Sequence, residues 1–393
     1  MVSRTKKIAV GALSLTTLLG VTTVAQAQGP DAARSAASQL GPNDGAAFAM
    51  TNRSTGNQIV TYRRAANGAL TRVDRVSTRG NGIGTDLDTQ GALRLSRDHR
   101  YLYAANAGSD DVTVFRVNGT RLTFLQKVYA GDEPNSLTIR GNLLYVLDGS
   151  VAGNGIRGFK VAANGTLAPL AGSFRLLSSP IAVPGQVEFS PDGNLLLVTQ
   201  KTTNVLLSPE SAIDVFRVGS NGLPSAMPKR EGSHGIRPFS LAFRNDHQLL
   251  VAESFNAAPG RSAVSSYRVS ANGSLGVISG SVRNHQTDTC WVVITKDGRY
   301  AFTANFGSGT ISSYRFDSTG QVRLIDGKAA FLGPLSQPVD LALSDNSRYL
   351  YLLLRGTGAV AAFKISDDGR LDRLSLVRGG LPVADGASGL AAY

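Results

Sequence analysis

Seven times along the chain a β-branched residue is followed, after two variable positions, by an aromatic and then a basic residue. The run closes each time in a short turn rich in Gly, Asn, Ser or Asp. Examples are IVTYRRAANGAL from Ile59, VSSYRVSANGSL from Val264 and VAAFKISDDGRL from Val360. The aromatics are Tyr62, Phe115, Phe159, Phe216, Tyr267, Tyr314 and Phe363, spaced 44 to 57 residues apart. Alternation of period two into an N-G, S-G or D-G turn is strand-turn-strand chemistry, so each copy predicts a hairpin.

A second pattern precedes these hairpins. Leu93 to Asn106 reads LRLSRDHRYLYAAN, Val187 to Gln200 reads VEFSPDGNLLLVTQ, and Val292 to Asn305 reads VVITKDGRYAFTAN. Each is an apolar strand, an Asp/Asn/Gly turn and a second apolar strand. A unit of about 50 residues therefore holds four strands, the size of one propeller blade. Seven anchors predict an all-β, seven-bladed β-propeller over residues 45–393. The N-terminal copy begins at Ala46 without a first strand, while Ser388 to Tyr393 aligns with the first strand Val339 to Ser344. The C-terminal strand is expected to complete the N-terminal blade and close the ring without free edges.

The start of the chain reads as an address. Arg4, Lys6 and Lys7 precede an apolar run from Ile8 to Leu19, and Ala25-Gln26-Ala27 offers a signal-peptidase site. Residues 1–27 are expected to be a cleaved signal peptide, and 28–44 a flexible lead-in. The mature protein is then secreted or periplasmic, with no membrane span after cleavage. The single cysteine, Cys290, leaves no possible internal disulfide. Loss of the leader lowers the net charge from +12 to +9. The basic residue after each anchor (Arg63, Arg116, Lys160, Arg217, Arg268, Arg315, Lys364) recurs once per blade, so the excess rings the circumference. That pattern lacks a concentrated nucleic-acid patch, and no nucleic acid is expected as partner. Acidic glycans or cell-surface polymers fit it better.

The units Ser190 to Val198 (SPDGNLLLV), Asp297 to Asn305 (DGRYAFTAN) and Ile311 to Phe316 (ISSYRF) resemble the seven-bladed lactonase-like propellers. These comprise the propeller-type 6-phosphogluconolactonases and the carboxymuconate-lactonising enzymes, and the likeness is greatest to their secreted branch. The resemblance spans residues 45–393. It implies a lactone hydrolase with a histidine at the entry of an inner strand, supported by an arginine and a carboxylate from neighbouring blades. Here the matching entry is Pro184-Gly185-Gln186-Val187, and Gly185 stands at the histidine position.

Loops joining one blade to the next share a face with the second-to-third-strand loops, where propeller ligands bind. On that face the residues expected to carry catalysis are His285, Glu253 and His234. A histidine can activate water, and a cation can hold the oxyanion. The residues expected to bind substrate are Gln90, Gln186, Lys201, Arg237, Trp291, Asn305 and Arg355. Asp86 and Asp88 make a weak calcium site, and no other cofactor is expected. Two functions follow: an exported hydrolase of a sugar or aromatic-acid lactone, or a non-catalytic propeller binding a small-molecule or glycan ligand. A monomer is expected.

Overall fold

A computed structural model describes residues 40–151, 153–179, 181–202 and 211–393. The expected leader and most of the lead-in lie outside the described residues. The remainder forms seven antiparallel sheets, each a meander running outward from an inner strand. The second blade shows the plan: inner strand Leu93–Leu95, then Tyr101–Asn106, Asp111–Asn118 and outer strand Arg121–Tyr129. The third blade departs from it slightly. Its outer strand is split into Leu167–Pro169 and Arg175–Leu176, both paired to Gly155–Val161.

All seven anchor aromatics are buried, and the basic residue after each is exposed or half-exposed. This follows from the two-residue period of a strand, which turns alternate side chains into the inter-blade core. The turn chemistry also repeats. Ser96, Ser190 and Thr295 each donate a hydroxyl to the Asp two residues on, at 2.7, 2.5 and 2.6 Å. The second-strand tyrosines then lock neighbouring blades. Tyr101 and Tyr103 donate to the carbonyls of Ala163 and Gly165, in the hairpin turn of the next blade, at 3.1 Å each. Gly165 has φ +83°, and a Cβ there would lie 2.2 Å from the Tyr101 ring, so glycine is required twice over.

The ring closes as the sequence predicts. Leu390–Ala392 pairs antiparallel with Gly45–Met50, with Ala47 opposite Ala392 and Ala49 opposite Leu390. Two unlike faces result. The turn face carries the turns between first and second and between third and fourth strands. The loop face carries the longer connections.

One connection does more than link blades. The segment Thr89–Gly91 enters the central channel from the loop face. Gln90 exchanges two hydrogen bonds with the Val292 backbone (3.1 and 2.9 Å), and its N–H donates to Gly185 at 3.1 Å. Thr89 donates its hydroxyl to Asn135 at 2.7 Å, and Ser136 donates to the Gln90 carbonyl at 2.6 Å. The third, fourth and sixth blades thus hold one strap.

Asp340 ties this strap to the closing strand, accepting from Gly389 N at 2.7 Å and Ser388 Oγ at 3.4 Å, with Gly91 N at 3.5 Å. Burial pushes its carboxyl up to about 6, outweighing the donors that favour the anion. A raised folded-state value means that ionisation works against the fold. The contribution is most favourable below the unfolded value near 3.8 and is lost as pH rises to about 6. Asp340→Asn removes this dependence. Its stability relative to wild type should therefore increase by up to about 3 kcal/mol from pH 4 to pH 7, measured by urea unfolding at each pH. A constant difference across that window would refute the assignment.

Candidate functional site

Above the strap, on the loop face, side chains from five connections and one strand end converge. Asp88, on the strap's approach, receives Lys201 Nζ at 2.5 Å and an Arg237 terminal nitrogen at 3.1 Å. Lys201 also donates to the Asp88 carbonyl at 2.5 Å. Asp86 pairs with Arg355 at 2.6 Å, and Arg355 donates from Nε to Gln337 at 3.2 Å. Asp288 completes the group, its carboxylate within 3.3 Å of the Cys290 thiol.

The floor is aromatic. Lys201 Nζ lies 4.8 Å from the Phe239 ring centre, and the Arg355 guanidinium lies 4.9 Å from that of Phe306. Trp291 sits between these rings, with centroids 4.8 Å from Phe239 and 6.2 Å from Phe306.

Burial sets the electrostatics. The Lys201 side chain is 1% exposed, and desolvation holds its ammonium below the usual range against the pull of Asp88. Burial likewise raises Asp86, with Arg355 opposing, and raises Asp288, with Cys290 and Arg237 opposing. The Cys290 thiol is pushed well up by burial, which keeps it protonated and inert. Asp88, Arg237 and Asp288 all have φ between 50° and 60°, the left-handed region that β-carbons disfavour. Such strain gathers where surrounding structure over-determines a functional arrangement.

The residues expected from sequence divide cleanly. Lys201, Arg237 and Arg355 are brought together around the two carboxylates. Glu253 and His234 also meet, through Ser281. The serine hydroxyl donates to Glu253 Oε2 at 2.8 Å and lies 3.1 Å from His234 Nδ1. Glu253 is buried, accepts from Gly235 N at 2.9 Å, and has its carboxyl raised by desolvation. His285 is exposed and joins neither group.

The other four candidates are bonded within the protein. Gln90 is the strap, and Gln186 donates to Glu188 (2.9 Å) while accepting from Leu241 N (2.9 Å) inside the channel. Trp291 is 1% exposed and donates to the Thr89 carbonyl at 3.1 Å. Asn305 is fully buried, bonded to Asn284, Thr289, Thr310 and Ser312.

Asp86 and Asp88, read from sequence as a weak calcium pair, are each engaged by cations. Among the described residues no three His, Cys, Asp or Glu side chains are grouped to hold a metal ion. Nor is any helix among them long and apolar enough to cross a membrane.

Fold and basin together define a closed seven-bladed propeller with a cluster of paired charges over a strapped channel. Residues 41–183 and 228–338 match the family model described as lactonase, 7-bladed β-propeller, and the chain belongs to that family. No curated protein sequence matches it. Among solved structures it is similar to the periplasmic gluconolactonase of Pseudomonas aeruginosa, with 18% identity and a TM-score of 0.67 over 89% of this chain and 99% of that one. A provisionally assigned 6-phosphogluconolactonase from Bacteroides fragilis aligns over 90% of this chain and 99% of its own, at 17% identity and TM-score 0.68. A second such protein, from Bacteroides uniformis, gives 17% and 0.70, covering 90% and 100%. At these identities the likeness is one of fold.

Proposed function

We propose that the protein is an exported hydrolase of a sugar lactone, acting in the basin around Asp88. One observation carries this reading: Lys201, Arg237 and Arg355 converge with Asp86, Asp88 and Asp288 from connections distant in sequence. Three cations balance three carboxylates. That balance suits a neutral, hydroxyl-rich ligand, which carboxylates and guanidinium groups can bind by paired hydrogen bonds. Membership in the lactonase family supplies the reaction class, and the N-terminal leader pattern supports export.

In the proposed reaction Asp288 takes a proton from water as the water oxygen bonds to the lactone carbonyl carbon. The carbonyl π electrons move to oxygen, and the oxyanion faces the partly exposed Arg237 guanidinium. Collapse breaks the ring C–O bond, and the alkoxide recovers the proton from Asp288, giving the hydroxy acid. A carboxyl raised by burial is a better base than an ordinary aspartate. The rate should therefore fall on the acid side through a value above the usual aspartate range.

The test is a panel of sugar and aromatic lactones assayed by acid release, with and without calcium. Asp288→Asn should lower kcat by roughly 10²- to 10⁴-fold and abolish the acid limb. Loss in His234→Ala with an unaffected Asp288→Asn would move the base to the Glu253–Ser281–His234 chain. Gly185 at the family's histidine position favours a second reading, a binding propeller. Saturable sugar binding without turnover would establish that reading instead.

A further inference from the structure

The opposite face carries a different chemistry. In the strand register Arg116 lies opposite Tyr101, Arg315 opposite Tyr300 and Lys364 opposite Tyr349. Each of those tyrosines opens its second strand. The once-per-blade cations therefore all stand at the turn-face end of the blades, forming one basic ring rather than a scatter. Turn residues add Arg97, Arg100 and Lys296 to the same face.

Within this ring a cleft of about 790 Å³ opens between the second and third blades. Arg97, Arg100 and Arg140 line it together with Asp98. Arg100 is occupied: it pairs with Asp98 at 3.3 Å and donates to the Ala163 carbonyl at 3.3 Å. Arg97 and Arg140 make no ion pair or side-chain hydrogen bond among the described residues. The Nε of Arg140 is moreover buried without any partner. That buried Nε packs near Gly193 of the fourth blade, so it is the terminal guanidinium nitrogens of Arg140 that remain for an acceptor in the cleft. Ile139, Val161 and Ala162 give the wall an apolar stretch, beside Ser96, Asn142 and the buried Tyr101 and Tyr103.

We propose that this cleft seats one acidic sugar of an acidic polysaccharide, its carboxylate on Arg97 and Arg140 and its apolar ring face on Ile139, Val161 and Ala162. Guanidinium forks match carboxylates in pairs, and the surrounding ring of cations extends the attraction along a polymer. The composition of the face separates this from other polyanions. Among the described residues only one exposed large apolar side chain lies on a turn of this face, Met227 of the fourth blade, away from the cleft. One methionine is no wedge for a lipid surface, and Tyr101 and Tyr103, the aromatics lining the cleft, are buried with their hydroxyls bonded to the next blade, so the cleft exposes no platform for unstacked bases. This binding is independent of the lactonase reading, because it uses a cleft between two blades on the opposite face.

The experiment is direct titration of the full chain with polygalacturonate, using neutral dextran, duplex DNA and phosphatidylserine vesicles in parallel. Polygalacturonate should bind and dextran should not, with affinity falling as salt rises. Arg97→Ala/Arg140→Ala should weaken binding roughly tenfold or more, while Arg217→Ala/Arg268→Ala, on the same face outside the cleft, removes only long-range attraction and should weaken it about twofold. Arg97→Lys/Arg140→Lys keeps the charge without the fork and should recover only part of the affinity. Arg97→Ala alone, at an exposed side chain, carries the test if the double variant fails to fold. Three results overturn the proposal: no polygalacturonate binding, equal losses in the two double variants, or tighter binding of DNA or vesicles.

Discussion

Removal of residues 387–393 is expected to lower the melting temperature by roughly 10 °C or more, and with it the yield of folded protein. The truncation strips the N-terminal blade of its inner strand. It breaks the pairing of Ala47, Phe48 and Ala49 with Ala392, Ala391 and Leu390, together with Met50 N to Gly389 O and Tyr393 N to Ala46 O, both 3.0 Å. Tyr393 is a second anchor: its ring stacks on His99 with centroids 4.6 Å apart, and its carbonyl accepts Arg64 Nε at 2.8 Å. Asp340 would lose two of its three donors while staying inside the channel. An open ring also exposes the edge of Gly45–Met50, a fully buried strand whose unpaired backbone invites association. Calorimetry of the truncated and full chains measures the effect. A melting temperature within about 2 °C of wild type would mean that the pairing contributes nothing to closure. Tyr393→Ala keeps the strand and should cost about 1–3 kcal/mol, separating the ring anchor from the pairing.

The architecture was legible because it repeats. An anchor such as Phe216 announces its burial by its place in a two-residue alternation, and the once-per-blade cation beside it by the same rule. Closure was legible because Leu390 to Ala392 copies an inner strand and the N-terminal unit lacks one. The basin was only half legible. Lys201, Arg237 and Arg355 stood out as cations on the right face, but nothing local shows that Asp86 and Asp88 join them, since each contact links residues more than a hundred positions apart. A pair of aspartates one residue apart reads equally well as a cation site or as a partner for cations, and only the fold chooses. Asp288 was overshadowed by His285, three residues earlier, which the structure leaves in solvent.

Asn305 shows an available signal that sequence reasoning passed over. Asn106 occupies the same place at the end of its second strand and makes the same kind of buried network, with Asn57, Asp111 and Thr113. A polar residue recurring at one strand position in two blades points to architecture. The strap gave no such signal. Gln90 works through its backbone and one amide, with partners 202 residues away at Val292.

Substitution at Gly185 is expected to have the other large effect, and it bears directly on how this chain departs from its family. Gly185 is the bulged residue of the inner strand Val183–Phe189, between Pro184 opposite Gln200 and Gln186 opposite Thr199. A Cβ there would stand 2.0 Å from the Phe239 carbonyl oxygen and 2.8 Å from Thr199 Oγ1. Neither atom can yield freely, because Thr199 donates to that same carbonyl at 2.6 Å and the Gly185 carbonyl holds the strap through Gln90 N. Gly185→Ala should therefore cost about 3 kcal/mol or more, by forcing apart two inner strands and slackening the strap. Gly185→His, which restores the residue type that the family resemblance implies, should be worse still and should yield no gain in lactone hydrolysis. Urea unfolding of the alanine variant and lactone assays of any soluble histidine variant measure both. A histidine variant as stable as wild type, with hydrolysis raised, would show that the inner strands can part here and that the family's base was simply lost. The close packing at Phe239 points the other way. Phe239 and Thr199 fill the space that a side chain at position 185 needs, which is why the proposed reaction draws its base from the loop face, from Asp288.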